Sequence, residues 1–418
     1  MLQPLPQEQT IMAETDRISQ LPADILDNIL GFLPIEDAAK TVVLSTNWGG
    51  IWPNLTQLCF APHFFRRLKN RYSTKHAAFY VITKILLQHK GPTIRKFEVD
   101  YYDSKTETVK SRSYDIDQWL LLVTRKGVEE IKLHLVSQEY ELPDCVLSCP
   151  TLKSLDLDSL LVRPLRSTYM LPNVASLRFG SINFDVFSDL VLDVPSLENL
   201  SFEECYEMFH LHIIAKSICS LNIRYCSSRE SDSFIPVNMD LRSIRTLHLD
   251  SHSLQNFVDD CSRTGLPLRS PALNVEDLNL SGFCFKKETQ ASPLIRLLHI
   301  CPNLIKLHIS LWCPVTWRCD STYDDEKDIP SVAEVDRRLP ELRSVAQRRK
   351  RLVTLKLILF KGFWCEMLFI KELLAALPSL QEVIIGHSND MDSKRKCEVM
   401  ERVLHFPRAS TEANVTCI

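Results

Sequence analysis

The most regular feature of the chain is an apolar residue followed, three and five positions later, by two more. Eleven copies of this pattern occur between residues 94 and 385, and the second to seventh recur about every 21–26 residues. In ten of the eleven copies the last three positions alternate apolar and polar, which is typical of a short β-strand with one buried face. The copies are Ile94/Phe97/Val99, Val128/Ile131/Leu133, Leu152/Leu155/Leu157, Val174/Leu177/Phe179, Leu197/Leu200/Phe202, Ile218/Leu221/Ile223, Ile244/Leu247/Leu249, Val275/Leu278/Leu280, Leu304/Leu307/Ile309, Leu352/Leu355/Leu357 and Leu380/Val383/Ile385.

This period is that of a leucine-rich repeat, a unit that buries its apolar face only by stacking against its neighbours. Two copies place a cysteine three residues past the strand, Cys205 and Cys226, where such repeats favour Asn or Cys. Adjacent parallel strands lie about 4.8 Å apart, so eleven strands would form a curved sheet about 50 Å long. The pattern therefore predicts an α/β fold, an irregular solenoid with a parallel sheet on its concave face.

Polar side chains lie between the apolar positions of each strand, and alternation places them on the concave face. They are of mixed sign, which suits recognition of a protein surface better than binding of an apolar ligand. Any one of them is also compatible with a merely solvated solenoid face. Asp250 and Asn279 fall on the same face by the same alternation. The candidate target-binding residues are Asp156, Arg178, Glu203, Arg224, His248, Asp277, Lys306 and His308.

Residues 21–52 carry two Leu/Ile-rich segments that each open at a proline, Pro22 and Pro34, where a helix tolerates one. Their apolar residues recur at three- and four-residue spacing, which predicts amphipathic helices. Trp48 and Trp52 are four residues apart, and we expect them to hold the small bundle together. A unit of about 45 residues cannot bury this much apolar surface, so a partner should cover part of it.

The remaining segments divide the chain by composition and period. Residues 1–13 are polar, without a period, and are expected to be disordered. Residues 14–60 form the N-terminal helical domain, and 61–90 a basic and aromatic helical linker. The repeats occupy 91–314. A charged insertion, predicted to be a loop and a helix, covers 315–347. A strand–helix–strand unit, with its helix from about Cys365 to Leu377, covers 348–412.

Composition narrows the class of protein. The 418 residues suffice for two or three domains, and a net charge of −3 gives no footprint for nucleic acid or an anionic membrane. No apolar run approaches the roughly 18 residues of a membrane span, and the N-terminus lacks the pattern of a signal peptide. We therefore expect a cytoplasmic and/or nuclear protein. Its 14 cysteines include no C-x-x-C pair, which predicts reduced thiols and no metal site.

Motifs of catalysis are absent from the sequence. It contains no G-x-x-x-x-G-K-[ST], G-x-G-x-x-G, H-E-x-x-H or G-x-S-x-G. Only 10 glycines occur, which disfavours loops that cradle phosphates. The sequence therefore predicts a chain that is not an enzyme and that has no catalytic residue, metal or cofactor.

One motif resembles the F-box of plant proteins and spans about residues 16–60. It comprises Leu21-Pro22, Ile25, Leu26, Ile29, Leu30, Leu33-Pro34, Val43-Leu44-Ser45, Trp48 and Trp52. Thr46-Asn47 replaces the basic pair that usually precedes the first tryptophan of the family. The F-box of that family docks on a Skp-type adaptor and, through it, on a cullin and a RING subunit. The resemblance implies adaptor contacts by Leu21, Pro22, Ile25, Leu26, Ile29, Pro34 and Val43.

The C-terminal unit resembles the FBD module that ends many plant F-box/leucine-rich-repeat proteins. The resemblance rests on Leu355-Lys356-Leu357, Phe360-Lys361-Gly362, Leu377-Pro378, Leu380, Val383-Ile384-Ile385 and Phe406-Pro407-Arg408-Ala409-Ser410. Together, the two motifs are similar to the plant F-box/FBD/leucine-rich-repeat family. That family implies a non-catalytic substrate receptor of an SCF-type cullin-RING ubiquitin ligase. Its repeats would recruit a protein target for ubiquitination.

Two other functions remain compatible with the residues. A leucine-rich-repeat scaffold that sequesters a protein partner would use the N-terminal helices only as a cap. An enzyme would need a pocket lined by titratable groups with perturbed pKa values. The basic run at residues 348–351 is compatible with a nuclear localisation signal or with a solvated helix end.

Overall fold

The structure, a computed structural model, describes most of the chain in separate stretches. The predicted tail 1–13, the Leu44-Ser45 pair and residues 315–330 of the predicted insertion lie outside the described residues. The described residues are 18, 20–43, 46–72, 76–101, 109, 111–136, 139–163, 166–184, 189–208, 211–226, 241–263, 273–284, 288–312 and 331–418.

The helices begin with a small N-terminal bundle. Pro22 and Pro34 occupy the N-cap positions of its first two helices, with φ of −54° and −51°, so both prolines start a helix as predicted. Short 3₁₀ turns at Thr41–Val43 and Trp52–Asn54 flank the third helix. In chain order the helices are α1 Ala23–Gly31, α2 Ile35–Lys40, α3 Thr46–Ile51, α4 Pro62–Tyr72, α5 Ala77–Gln88, α6 Ser113–Arg125, α7 Asp144–Leu147, α8 Ser251–Arg263, α9 Glu288–Ile300, α10 Ser331–Gln347, α11 Trp364–Ala376 and α12 Ser393–Leu404.

The strands are short, and most of the longer ones follow the apolar pattern. They are β1 Gln57–Phe60, β2 Lys96–Tyr101, β3 Glu130–Leu135, β4 Ser154–Asp158, β5 Leu161–Val162, β6 Thr168–Met170, β7 Ser176–Gly180, β8 Asn183–Phe184, β9 Leu190–Asp193, β10 Asn199–Glu203, β11 Leu211–Ile214, β12 Ser220–Arg224, β13 Thr246–Asp250, β14 Asp277–Phe283, β15 Lys306–Leu311, β16 Thr354–Phe360, β17 Glu382–His387 and β18 Asn414–Cys417.

The main sheet is parallel throughout and follows chain order. Within the described residues it has thirteen strands, in the order β1-β2-β3-β4-β7-β10-β12-β13-β14-β15-β16-β17-β18. Each of the eleven predicted copies supplies one of them, which confirms the predicted solenoid with its parallel sheet. The pattern missed β1 and β18, which extend the sheet at its two ends.

The core is made by the apolar positions of neighbouring strands in register. Leu155, for example, pairs with Ile131 on one side and Leu177 on the other, and all three are at most 1% exposed. Stacked rows of this kind join into one buried cluster that runs from Leu26 in α1 to Ala413 before β18. The N-terminal bundle and the sheet therefore share a single core.

The side of the solenoid opposite the concave face changes character along the chain. Between β4 and β13 it carries short strands, paired as β6-β9-β11 and β5-β8. After β13 it carries helices α8, α9, α10 and α11, which contact one another in chain order. Helix α10 is the one predicted in the charged insertion, and α11 lies within one residue of its predicted bounds. This helical layer supports the strands that form the C-terminal half of the concave face.

Candidate functional site

An exposed apolar surface covers the outer side of the N-terminal bundle. Its most exposed members, Phe32 and Val43, are 90% and 86% exposed. Large apolar side chains that share one surface mark contact sites for other proteins. This N-terminal apolar patch consists of Leu21, Ile25, Ile29, Phe32, Leu33, Val42 and Val43.

Helix α1 divides its apolar residues between two faces. Leu26 and Leu30 are each 2% exposed and belong to the core, whereas Ile25 and Ile29 are exposed. A side chain as buried as Leu26 has almost no surface to offer a partner, so we reassign it from the adaptor-facing set to the core. Phe32 was missed, although its position seven residues after Ile25 continues the outer face.

The other predicted adaptor residues lie around the patch. Pro22 is exposed at the start of α1, and Pro34 is half-buried at the start of α2. Trp48 is 6% exposed, and Trp52 packs against the core cluster. The two tryptophans therefore support the bundle from inside, as the sequence predicts.

A buried carboxylate joins the bundle to the sheet. Asp27 of α1 accepts a hydrogen bond at Oδ1 from the Thr56 backbone N–H, at 2.9 Å. Its Oδ2 accepts hydrogen bonds from the Thr56 hydroxyl and from Arg95, the latter at 3.2 Å. The Thr56 carbonyl in turn accepts the backbone N–H groups of Arg95 and Lys96, at 2.7 and 3.0 Å. Asp27 thus holds α1 against the first two strands.

A buried histidine makes a second connection. Lys126 donates to Nδ1 of His89 at 3.0 Å, so the other ring nitrogen, Nε2, carries the proton and donates to the Leu55 carbonyl at 2.8 Å. Burial lowers the pKa of His89 and the charge of Lys126 adds to this, against the hydrogen bond to Leu55. The neutral ring therefore acts as a fixed bridge between the bundle and the first repeat.

The concave face is organised by one continuous row of register partners, the centre row. It crosses all thirteen described strands of the main sheet. Four predicted site residues lie in it, while Asp277 and Lys306 lie two positions before it and Glu203 and Arg224 two positions after it. The row runs Cys59, Glu98, Lys132, Asp156, Arg178, Ser201, Asn222, His248, Asn279, His308, Lys356, Ile384 and Thr416.

Charges in the N-terminal half of this face neutralise one another. Arg178 lies at the centre of the network and contacts Asp156 at 2.8 Å, Asp158 at 3.3 Å and Glu203 at 3.0 Å. Arg224 reaches the same Glu203 at 3.5 Å. Further along the network, His134 contacts Asp156 at 2.9 Å, and Lys132 contacts Glu98 at 3.2 Å. The structure thus brings Asp156, Arg178, Glu203 and Arg224 together.

The ion network shifts the pKa values of Asp156 and Arg178. Burial alone would raise the pKa of Asp156, but hydrogen bonds from His134 and Arg178 outweigh it and hold that pKa below its usual range. The pKa of Arg178 is raised by its carboxylate partners, against the effect of burial. These groups stay charged and paired, so this half of the face presents a rigid pattern of alternating charge.

The C-terminal half of the face contains a polar pocket. The pocket has a volume of about 260 Å³, and its polar lining comes from strands β12 to β16. His308 contacts Asn279 at 2.8 Å, and Asn279 donates to Asp277 at 2.8 Å. Burial lowers the pKa of both His248 and His308. The residues that line the pocket are Arg224, His248, Leu249, Asn279, Leu280, Ser281, His308, Ile309, Ser310, Lys356 and Ile358.

Three positions refine the sequence interpretation of this face. Asp250 is 1% exposed, and its carboxylate accepts backbone N–H groups of Tyr225, His252 and Ser253, each at 3.1 Å. It therefore caps the start of α8 and does not belong to the concave surface. Lys306 is exposed, outside the pocket lining. Lys356 was missed, although it stands between two apolar residues of a predicted strand, as Asp156 does.

The described part of the chain shows neither a metal cluster nor a membrane span. In it, no group of three or more His, Cys, Asp or Glu residues is arranged to hold a metal ion. None of its helices is long and apolar enough to cross a membrane.

An F-box joined to a leucine-rich-repeat solenoid is the class of protein that this architecture defines. A model of the F-box domain matches residues 18–56. The family model described as "At1g61320/AtMIF1, LRR domain" matches residues 85–312, and the chain belongs to that family.

Relatives from Arabidopsis thaliana carry F-box, FBD and LRR-repeat designations in their names, in different combinations. "F-box/FBD/LRR-repeat protein At1g13570" is 28% identical over 96% of this chain and 98% of its own length. "F-box/LRR-repeat protein At3g26922" is 27% identical over 44% of this chain and 58% of the relative. "FBD-associated F-box protein At4g10400" is 27% identical over 51% of this chain and 52% of the relative. Together the two domains indicate an adaptor-type role, in which an F-box binds a Skp-type adaptor and the repeats bind a target protein.

Proposed function

We propose that this chain is the substrate-receptor subunit of an SCF-type cullin-RING ubiquitin ligase. The observation that carries the proposal is the N-terminal apolar patch, which lies within the F-box and outside the shared core. The patch would dock on a Skp-type adaptor, and a cullin and a RING subunit would join through that adaptor. Of the predicted contacts, we keep Leu21, Pro22, Ile25, Ile29, Pro34 and Val43, and we add Phe32, Leu33 and Val42.

The concave face would hold the protein target. From Glu98 on β2 to Lys356 on β16 every residue of the centre row is polar, which gives a partner a continuous surface of charges, hydroxyls and amides. Because β1 and the Asp27 contacts join the F-box to the sheet, the target would be held in a fixed orientation to the adaptor. A receptor of this kind accelerates transfer by proximity and needs no acid–base group of its own.

The proposal also covers the C-terminal module and the cellular location of the chain. We assign residues 348–412 to the FBD module, where β16, α11, β17 and α12 continue the solenoid. The sheet runs one strand further, to β18, so the residues after 412 belong to the same structural unit. We also propose a cytoplasmic and/or nuclear location, where SCF-type ligases work.

The adaptor contact is tested by capture of the full chain on an immobilised Skp-type adaptor. Ile25→Asp places a charge on the exposed side of α1 and should abolish capture. Leu87→Asp is the matched control, because Leu87 is 75% exposed on α5, outside the patch. Capture of the wild type and of Leu87→Asp, with loss only for Ile25→Asp, supports the proposal. If no adaptor paralogue captures the wild type, the proposal fails.

That failure would favour the second candidate, a leucine-rich-repeat scaffold that sequesters a protein partner. Deleting residues 1–60 cannot separate the two functions, because the deletion removes β1 and uncovers β2. It also removes Thr56 and Leu55, which contact Arg95 and His89. Single surface substitutions in the patch leave these contacts in place.

A further inference from the structure

We propose that the pocket between β12 and β16 receives one anionic group of the protein target, a carboxylate or a phosphate. The proposal deepens the receptor function and rests on it for the statement that the target is a protein. The groups that would recognise the anion are Arg224, His248, Ser281, His308 and Lys356.

The charged side chains that line the pocket are all cationic. Arg224 and Lys356 line the pocket with two imidazoles, and among the described residues no carboxylate lines it. Arg224 reaches Glu203 at 3.5 Å through one terminal nitrogen, Nη2, and no described residue accepts a hydrogen bond from its Nε. In the N-terminal half of the same face, Arg178 and Lys132 already contact carboxylates. The described residues offer Lys356 no ion-pair partner within 4.0 Å, so its charge is available to a ligand. The two halves of the face therefore differ in what they can bind.

Two hydrogen-bond donors of the pocket have no acceptor among the described residues. Arg224 Nε and Ser281 Oγ are buried, and no described residue accepts a hydrogen bond from either. Buried polar atoms usually have a partner, because a missing one costs about 1–3 kcal/mol. An oxyanion placed between these donors would accept from both. Charge-assisted hydrogen bonds of this kind are shorter and stronger than neutral ones.

Two of the strands that line the pocket have an irregular backbone. Strand β14 has a register shift between Leu280 and Phe283, with Gly282 at a φ of +66°. Strand β16 has another between Ile358 and Phe360, with Leu359 at a φ of +61°, a left-handed conformation that costs a bulky residue about 1–3 kcal/mol. Bulges of this kind re-aim side chains next to binding sites. Here they fall beside Ser281 and Ile358, both of which line the pocket.

The pocket is small for a separate organic ligand. A volume of about 260 Å³ lies just below the roughly 300–1,000 Å³ of pockets for small organic ligands. One acidic side chain, or one phosphorylated side chain, fits that space while the rest of the target lies on the flanking rows. This favours a group carried by the protein target over a separate small molecule.

The two imidazoles should make anion binding in the pocket depend on pH. Asp277 accepts one amide hydrogen of Asn279, so the side-chain carbonyl oxygen of Asn279 faces His308. Because that oxygen can only accept a hydrogen bond, Nδ1 of His308 carries the proton. The Asn279 amide also lies 3.4 Å from Nε2 of His248, which therefore accepts. Burial keeps both rings neutral, so His308 can donate to an anion through Nε2 only after it takes up a proton.

The charged surroundings of the two rings fix the sign of that dependence. His248 faces Asp277, Arg224 and His308. His308 faces Asp277 and Glu382 as well as Lys356 and Lys306. The negative charge of an anion bound beside the rings raises their pKa values, so binding takes up protons. Affinity for an anion of constant charge should therefore rise as the pH falls from about 8 to about 6.

The test is a titration of the full chain, without adaptor, with sulfate, phosphate and acetate at constant ionic strength. The readout is the imidazole NMR signals of His248 and His308, assigned through His248→Gln and His308→Gln. We expect saturable shifts, and binding about tenfold weaker in Lys356→Gln. Lys361→Gln is the control: Lys361 pairs with Asp390 at 3.2 Å, does not line the pocket, and should bind as the wild type does.

Each outcome decides the proposal. Saturable binding that Lys356→Gln weakens and Lys361→Gln leaves unchanged supports it. A stronger response to phosphate then points to a phosphorylated target, and a stronger response to acetate to an Asp or Glu side chain. Absence of shifts, equal effects of both lysine variants, or sulfate binding that weakens from about pH 8 to about pH 6 overturns it. Because the titration omits the adaptor, this failure is distinct from failure of the receptor function.

Discussion

The joint between the F-box and the repeats depends on one carboxylate, and its removal gives a quantitative prediction. Asp27 is 7% exposed on the inner face of α1, where it accepts hydrogen bonds from the backbone and side chain of Thr56 and from Arg95. Asp27→Ala removes the acceptor without adding bulk. The Thr56 N–H then loses its partner at the edge of the sheet.

The magnitude follows from the exposure of each donor. Hydrogen bonds to a charged group contribute about 1.5–3 kcal/mol each. Arg95 is 46% exposed at its side chain and can turn to water, so its share is small. The two Thr56 hydrogen bonds remain, and because Thr56 is only half-buried we expect a combined loss of about 2–4 kcal/mol. A loss of about 3 kcal/mol raises the local opening equilibrium roughly 100-fold.

Amide hydrogen exchange in the full chain measures this opening directly. Exchange in α1 should accelerate about 100-fold in Asp27→Ala, while strands in the middle of the sheet keep wild-type rates. Asp24→Ala is the matched control, because Asp24 lies one turn earlier on the same helix and is exposed. If α1 exchanges equally fast in both variants, Asp27 does not hold the F-box to the sheet and the reasoning fails.

Three further predictions concern the solenoid. His134 and Arg178 together hold down the pKa of Asp156, and Arg178→Met leaves only His134, so acid unfolding should begin at higher pH than in the wild type. Gly362→Ala sets a methyl group against Val399 at a φ of +68° and should cost about 2 kcal/mol in urea unfolding. Alkylation of the native chain should spare Cys226, because hydrogen bonding with Cys205 and burial raise its pKa. Among the cysteines whose burial the structure describes, the exposed Cys219, Cys397 and Cys417 should react before Cys226.

Each of these has its own control. For Asp156, the paired carboxylate stabilises the fold above the unfolded pKa of about 3.9 and loses this effect as the pH falls. Arg163→Met, whose Arg163–Glu141 pair is more exposed, should not move the acid transition. Gly50→Ala meets no atom within 4 Å and should not destabilise. Equal behaviour of variant and control, or early alkylation of Cys226, would contradict these predictions.

The repeat architecture could be predicted from the sequence because each strand is encoded locally. In a copy such as Leu155–Leu157, alternation alone fixes which residues are buried, and the 21–26-residue period fixes the stacking. The positions of Asp156 and Arg178 on the concave face follow from the same alternation. Helix α11 was predicted to within one residue because most of its residues are apolar, and most of them are buried.

What the sequence missed depends on tertiary contacts. The spacing of Leu26 and Ile25 does not say which of two adjacent apolar faces meets the sheet, and the structure buries only Leu26. Strand β1 is too short to carry a period, yet it joins the F-box to the repeats. Asp250 fits the alternation of its strand, but its carboxylate accepts a backbone hydrogen bond from the first turn of helix α8 and so does not face the concave surface. The pocket combines residues of five strands, so it appears only after folding.

The central claim is that the N-terminal apolar patch binds a Skp-type adaptor. The most direct test is calorimetric titration of the full chain with a purified adaptor, in the wild type and in Val43→Asp. Burying a valine that is 86% exposed contributes about 1.5–3 kcal/mol, so the variant should bind at least about tenfold more weakly. The account predicts a one-to-one complex that Val43→Asp weakens and Leu87→Asp leaves unchanged. Equal affinities of wild type and Val43→Asp, or no complex with any adaptor, would contradict it.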